Sequence, residues 1–236
     1  GNVTLGSSVT IGGLCTIVSG VFDLAGYQLN CTRFDSNNST SRTIAFGSGN
    51  ISINASSVVA GTVVWNTSTT TNLSVTGTPT VNVSNTSANT ITVANGVLTE
   101  SQAVSFNFIN GSYSLVFLAG SGYSAKNVDF TGFSGTWAAR STTTSTNTLY
   151  GSLTLSSTMT SGTATGPMTF GGTNVTQLIT CNGATMPQGV YVNGTNNIVR
   201  FADAFTSASR PIQVMNGTFD ANNKTITNVV SFTILG

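Results

Sequence analysis

The chain has 236 residues, of which 6% are charged and 39% hydrophobic, with Lys+Arg 7, Asp+Glu 6 and no histidine. Since a soluble domain ordinarily carries about 25% charged residues, the surface here must consist of neutral Ser, Thr, Asn and Gly. The net charge of +1 gives no electrostatic basis for binding nucleic acid or anionic lipid, and no run of roughly 18 apolar residues predicts a membrane span.

Apolar residues alternate with polar ones in short bursts from one end of the chain to the other. A period of two predicts half-buried β-strands, and the Gly, Asn and Ser residues between the bursts predict turns. In chain order the alternating sets are Val3, Leu5, Val9 and Ile11; Ile44, Phe46, Ile51 and Ile53; Leu73 and Val75; Val81 and Val83; Ile91 and Val93; Val104, Phe106 and Phe108; Tyr113, Leu115 and Phe117; Leu153, Leu155 and Met159.

One phrase occurs near both ends of the chain. "SGVFDLAGYQLNCTRF" corresponds to "NGTFDANNKTITNVVSF" at an offset of 197 residues as far as Leu29 and Ile226, and of 198 at Phe34 and Phe232, because the later phrase is one residue longer. The preceding segments also align with one inserted residue in the later copy. Beyond the phrase, we expect the later copy to skip the polar segment "DSNNSTSR", so that "TILG" falls on "TIAFG". The skipped segment then predicts a loop that protrudes from the fold.

Short strands at regular spacing fit either sandwiches and barrels or solenoids. A sandwich module of 197 residues would leave orphaned strands with unpaired edges, whereas each coil of a solenoid contacts only its neighbours. We therefore predict an all-β, right-handed parallel β-helix over residues 1–236, with tandem β-sandwich domains as the alternative. At about 20 residues per coil, it would have roughly 11 or 12 coils. We expect it to be one repeat module plus the start of the next, excised from a longer chain.

The candidate catalytic and binding residues have structural interpretations. Asp203 and Asp220 are the nearest approach to a glycosidase carboxylate pair, but Asp220 and Asp23 hold equivalent repeat positions, which predicts aspartates that cap turns. Trp65 and Trp137 lie in apolar strands, so we expect them to pack rather than to stack on sugars. We expect the three cysteines, Cys15, Cys31 and Cys181, to be small buried hydrophobes. The alternative is a disulfide between Cys15 and Cys31.

The phrases "GTFDANNKTIT", "SRTIAFGSGNISI", "TVVWNTSTTTNLSVTGTPTVNVS" and "NVDFTGFSGTW" resemble those of repetitive virion structural proteins of bacteriophages, of the marine viral type. The resemblance covers nearly the whole chain. It implies a long fibre or tail-fibre appendage, often a β-helix and often trimeric, and it brings no catalytic residues. The other classes are a bacterial cell-surface adhesin or stalk, and an ice-binding solenoid suggested by the pairs in "TIT", "TPT" and "TAT".

We therefore expect a structural protein of a virion or another extracellular assembly, and no enzyme. No cofactor, catalytic residue or metal site is predicted, and the ligand-binding residues are unknown. The expected partners are further copies of the module or identical chains, in a homo-oligomer such as a trimer, together with a host-surface glycan or protein receptor. Binding of nucleic acid and insertion into a membrane are not expected.

Overall fold

The computed structural model describes residues 1–118, 122–138, 147–162 and 166–235. Within these ranges the chain is all β and contains no helix, and its parallel strands stack into a β-solenoid of about 10 turns. The predicted parallel β-helix is confirmed. The alternative of tandem β-sandwiches is wrong, because such sandwiches are built from antiparallel sheets whereas the strands here pair in parallel.

The strands are short along most of the chain because each crosses only one face of a coil before the next turn. In chain order those in the described residues are β1 (Val3–Thr4), β2 (Val9–Thr10), β3 (Leu14–Thr16), β4 (Gly20–Asp23), β5 (Gln28–Cys31), β6 (Arg33–Asp35), β7 (Arg42–Ala45), β8 (Asn50–Asn54), β9 (Thr62–Thr67), β10 (Leu73–Thr76), β11 (Thr80–Ser84), β12 (Ile91–Asn95), β13 (Ser105–Asn110), β14 (Ser114–Phe117), β15 (Ser124–Ala125), β16 (Val128–Asp129), β17 (Thr136–Ala138), β18 (Asn147–Leu149), β19 (Leu153–Thr154), β20 (Thr160–Ser161), β21 (Pro167–Phe170), β22 (Thr176–Thr180), β23 (Thr185–Met186), β24 (Gly189–Phe201), β25 (Phe205–Asp220) and β26 (Ile226–Ile234).

These strands form three sheets, and from β1 to β12 successive strands belong to sheets A, B and C in turn. Sheet A has the order β1-β4-β7-β10, and sheet C has the order β20-β17-β14-β12-β9-β6-β3. Sheet B has 15 strands and runs from β2 to β22 along one row and from β15 to β21 along another. The two rows join at the long strand β24, which pairs with both β21 and β22 and is followed by β25 and β26.

Side chains at one register position of sheet B stack into an apolar column inside the solenoid. Each pairs directly with its neighbour one coil away, and all members from the second onward are buried. Since burying one such side chain stabilises the fold by about 1.5–3 kcal/mol, the column is a main support of the stack. Its members are Val9, Leu29, Ile51, Val81, Phe106, Val128, Leu153, Ile179 and Phe201.

The coils differ in length, which corrects the expected number of turns. Val3 pairs with Phe22, 19 positions on, whereas Phe34 pairs with Trp65, 31 positions on. The stack has about 10 turns and not 11 or 12, because long connections between strands lengthen the coils in the first half of the chain.

Asparagine supplies left-handed backbone positions, both in turns and within the long strands β24 and β26. Most of the non-glycine residues with positive φ in the described ranges are asparagines, and this residue tolerates the left-handed region better than other L-residues. These asparagines are Asn72, Asn174, Asn182, Asn196, Asn222, Asn223 and Asn228.

The two copies of the repeated phrase adopt the same turn. Ala25 and Gly26 have φ of 50° and 86°, and Asn222 and Asn223, 197 positions later, have φ of 52° and 55°. One backbone hydrogen bond closes each turn at the same place. These bonds are donated by Tyr27 N to Leu24 O (2.8 Å) and by Lys224 N to Ala221 O (2.9 Å).

Beyond the phrase, the expected alignment of "TILG" with "TIAFG" is wrong. Ile44 pairs with Phe22 in sheet A, so its counterpart would have to pair with Phe219. Ile234 instead pairs with Val214, because β26 runs on without the skip. Short alternating Thr and Ile residues fit several strands equally well, so the pattern alone did not define this register.

Candidate functional site

Each of the six carboxylates of the chain accepts a hydrogen bond from a backbone amide. Four of them accept it from the residue two positions later, at 2.7–2.8 Å, which is the turn-capping arrangement. The prediction for Asp23 and Asp220 is therefore confirmed. The four pairs are Asp23 with Ala25 N, Asp35 with Asn37 N, Asp129 with Thr131 N and Asp220 with Asn222 N.

The other two carboxylates bind backbone that is distant in sequence. Glu100 accepts from Thr173 N at 3.0 Å, and Asp203 accepts from Cys181 N at 2.7 Å and also from Asn182 N. Both acids therefore tie two parts of the solenoid together.

Asp203 and Asp220, the nearest approach to a glycosidase pair, are bound to different partners. Arg200 Nε donates to Asp220 Oδ2 at 2.7 Å, and this hydrogen bond, with a second from the Asn222 amide, lowers the pKa of Asp220. A glycosidase requires one of its two carboxyls to stay protonated as the acid. The contacts of Asp220 favour its ionised form and therefore disfavour Asp220 as that acid.

Both tryptophans are buried, as predicted. Trp65 stacks on Phe34 with ring centroids 4.7 Å apart and donates from Nε1 to Thr67 Oγ1. Trp137 lies 5.0 Å from Phe130, measured between ring centroids, and donates to the carbonyl of Phe117. Neither side chain is available as a platform for a sugar ring.

All three cysteines are buried free thiols. The open question of a bond between Cys15 and Cys31 is thus settled in favour of unpaired thiols that pack as small hydrophobes. Burial raises the pKa of Cys31 and of Cys181 to about 12. Because the thiolate is the nucleophile and the metal ligand, thiols with so high a pKa are unreactive in the folded protein.

The outer face of sheet B carries neutral polar side chains in register from coil to coil. We call the members that hydrogen-bond to one another the amide ladder. Gln28 Nε2 donates to Asn30 Oδ1 (2.7 Å) and to Ser52 Oγ (2.8 Å), and Asn107 Nδ2 donates to Asn82 Oδ1 (3.0 Å). Like residues can stack at this spacing, whereas like charges would repel. The ladder consists of Thr10, Gln28, Asn30, Asn50, Ser52, Asn82 and Asn107.

A shallow groove of about 520 Å³ lies along the N-terminal half of this ladder. Gln28, Asn30 and Ser52 line it, and Ile109, which is half exposed, stands at its side. Ile109 points outward because β11 and β13 change register between Val83 and Ser84, which leaves one residue of β13 unpaired. The lining has no charged side chain, and its amides and hydroxyls stand beside apolar side chains such as Ile11 and Ile109, so the groove suits a neutral ligand better than an anion or a cation.

In the described residues, the threonine pairs at 78–80 and 90–92 are not continued as threonines by the neighbouring coils. Thr92 pairs with Val63 and Val116, and Thr80 pairs with Ser105. The "TAT" pair, at 163–165, lies outside the described residues.

The described residues hold neither a metal-binding cluster nor a membrane-spanning helix. They contain no group of three or more His, Cys, Asp or Glu side chains placed to hold a metal ion. They also include no helix of the length and apolarity needed to cross a membrane.

A buried arginine is the feature that sequence reasoning missed. Arg42 is 1% exposed and donates to carbonyl oxygens of the segment before it and of the next coil. The segment "DSNNSTSR" does form a loop, since no strand lies between β6 and β7, but the loop is held at its base by this side chain. The acceptors are the carbonyls of Ser36, Thr40, Thr69 and Thr71 and the hydroxyl of Ser36.

Compared with models of protein families, with curated proteins and with solved structures, the chain shows no match.

Proposed function

We propose that this chain is a structural segment of an extracellular fibre, a virion appendage of the phage tail-fibre type. The observation that carries the proposal is the parallel β-solenoid itself, whose stacked coils bury one continuous apolar column and present neutral amides and hydroxyls on the outside. Each coil of such a stack contacts only its neighbours, so the fold extends by repetition, as a segment of a fibre requires.

The uses of the charged side chains support a structural role over an enzymatic one. The carboxylates hold backbone amides, and Arg42 holds backbone carbonyls. The polar groups of the exterior are mainly neutral amides and hydroxyls, which supply no acid or base, and a hydroxyl needs an adjacent base to act as a nucleophile. The absence of enzymatic activity is part of the proposal.

Attachment to a host surface is a second role within the same proposal. The amide ladder and its groove supply donors and acceptors without charge, which suits a neutral surface glycan. The other partners would be further copies of the module, or identical chains in a trimer, as the resemblance to phage fibre proteins implies.

Immunogold electron microscopy tests the location. Antibodies raised against the 236-residue chain are applied to purified virions and to uninfected host cells from the source of the gene. We expect gold on a virion appendage and none on the cells. Gold on uninfected cells alone would overturn the virion assignment in favour of the cell-surface adhesin or stalk.

A further inference from the structure

In the last coil, side chains at inward-facing positions of the solenoid are exposed to solvent. Phe232 and Ile234 of β26 pair with Ile212 and Val214 of β25, which are 1% and 8% exposed. Phe232 and Ile234 are 51% and 70% exposed although they stand in the same columns. The outer edge of β26 is also without a strand partner in the described residues. The last coil thus has an exposed apolar face and an unpaired strand edge.

The strand register identifies which coil of the module this is. Under the alignment of the repeated phrase, three pairings between the first and second coils recur between the coils at the other end. The same residues of the repeat therefore face the same neighbours in both places. The matching pairs are Val3–Phe22 and Val199–Phe219, Val9–Leu29 and Phe205–Ile226, and Cys15–Phe34 and Ile212–Phe232.

The first copy shows what covers the position of Phe232. Its counterpart Phe34 is 1% exposed because the next coil lays Trp65 on it, with the ring planes 15° from parallel. Strand β9, which carries Trp65, pairs with β6 in parallel, Phe34 with Trp65 and Asp35 with Asn66. In the last coil the same ring has no such cover.

We infer that residues 199–235 are the first coils of a second copy of the module, and that their open face takes a coil equivalent to residues 42–67. In that coil the counterpart of Trp65 stacks on Phe232, and the counterpart of β9 pairs with β26 over Phe232 and Thr233. This inference deepens the proposed fibre, since it rests on the module being repeated along it, and it defines the junction residue by residue.

The test is a chain that supplies the missing coil. Residues 38–95 are appended after Leu235, because Ile234 occupies the structural position of Ser36, and hydrogen exchange of residues 226–234 is followed by mass spectrometry. We expect the amides of β26 to exchange at least about tenfold more slowly than in the 236-residue chain, since strand pairing and burial protect them. The fluorescence emission of the added tryptophan should lie at shorter wavelength than in a chain whose extension has residues 38–95 in scrambled order.

Two matched extensions decide the outcome. One carries Trp65→Ser in the appended copy only and should lose part of the protection; the other has residues 38–95 in scrambled order and should give none. Unchanged exchange of residues 226–234 with the native extension would overturn the inference, and so would equal protection by the scrambled one. Gold label missing from virions would remove the virion assignment but would leave this result intact.

Discussion

Phe34 and Trp65 lie face to face across two coils, with ring centroids 4.7 Å apart and planes 15° from parallel. They are also direct partners in the parallel pairing of β6 and β9. The contact therefore joins two adjacent coils through both backbone pairing and side-chain stacking. Aromatic pairs of this kind add about 0.5–1.5 kcal/mol to the energy of burial.

Trp65→Ala should be among the most destabilising single changes in the chain. Removing a fully buried tryptophan leaves a cavity and costs about 3–5 kcal/mol, which urea denaturation followed by circular dichroism would measure. Val59→Ala is the control, because Val59 is 75% exposed and a change there should stay within about 0.5 kcal/mol. Equal stabilities of the two variants would contradict the packing described here.

Arg42→Met tests the buried arginine. The change keeps an apolar stem of similar length but leaves the carbonyls of Ser36, Thr69 and Thr71 without their donor. Of these residues only Ser36 is buried, whereas Thr69 is half-buried and Thr71 exposed. A buried acceptor without a partner costs about 1–3 kcal/mol, so the free energy of unfolding should fall by about that amount. Lys224→Met, at an exposed position, should change it little. A stable Arg42→Met variant would mean that water replaces the guanidinium.

The sequence predicted those features that repeat at short range. The period of two located strands such as β8, β11 and β13 with their inward faces, although it gave no set for β21 to β26. The common place of Asp23 and Asp220 in the repeat identified turn-capping aspartates. Both signals work because they depend on the backbone geometry of a few neighbouring residues.

Features that depend on the pairing of distant residues could not be predicted from the sequence. The role of Arg42 requires knowing that Thr69 and Thr71 arrive beside it one coil later. The register of β26, with Ile234 beside Val214, likewise depends on which coil lies beneath. Abundant Asn, Thr and Ser indicated that like polar residues would form ladders, but the members could not be identified, because they lie about 20 to 30 positions apart in a chain rich in Asn and Ser.

Acid should loosen the contact between Asp220 and Arg200. Because the hydrogen bond from Arg200 lowers the pKa of Asp220, the contact stabilises the fold above the ordinary aspartate pKa of about 3.9 and loses this effect as the pH falls through the lower, folded value. In Arg200→Met the pKa of Asp220, followed by carboxyl carbon NMR, should rise towards the ordinary value. An unchanged titration would show that the Asn222 amide alone maintains the shift.

Thiol reactivity should report the burial of the three cysteines. At pH 8 a disulfide reagent such as DTNB should label almost none of Cys15, Cys31 and Cys181 in the folded protein, because they are buried and the pKa of each is raised. In guanidinium chloride all three should react. Rapid labelling of the folded protein, or one thiol in place of three after unfolding, would contradict the free buried state.

Incubation with polysaccharides should release no oligosaccharides, since the contacts of Asp203 and Asp220 serve the backbone and Arg200 favours the ionised form of Asp220. Chromatography of the products from a panel of host-type polysaccharides would measure this. The matched variants are Asp203→Asn, Asp220→Asn and Asp129→Asn, of which Asp129 caps a turn as Asp220 does. Release of defined fragments that stops in the first two variants and persists in the third would mean that the solenoid is a glycan-cleaving enzyme.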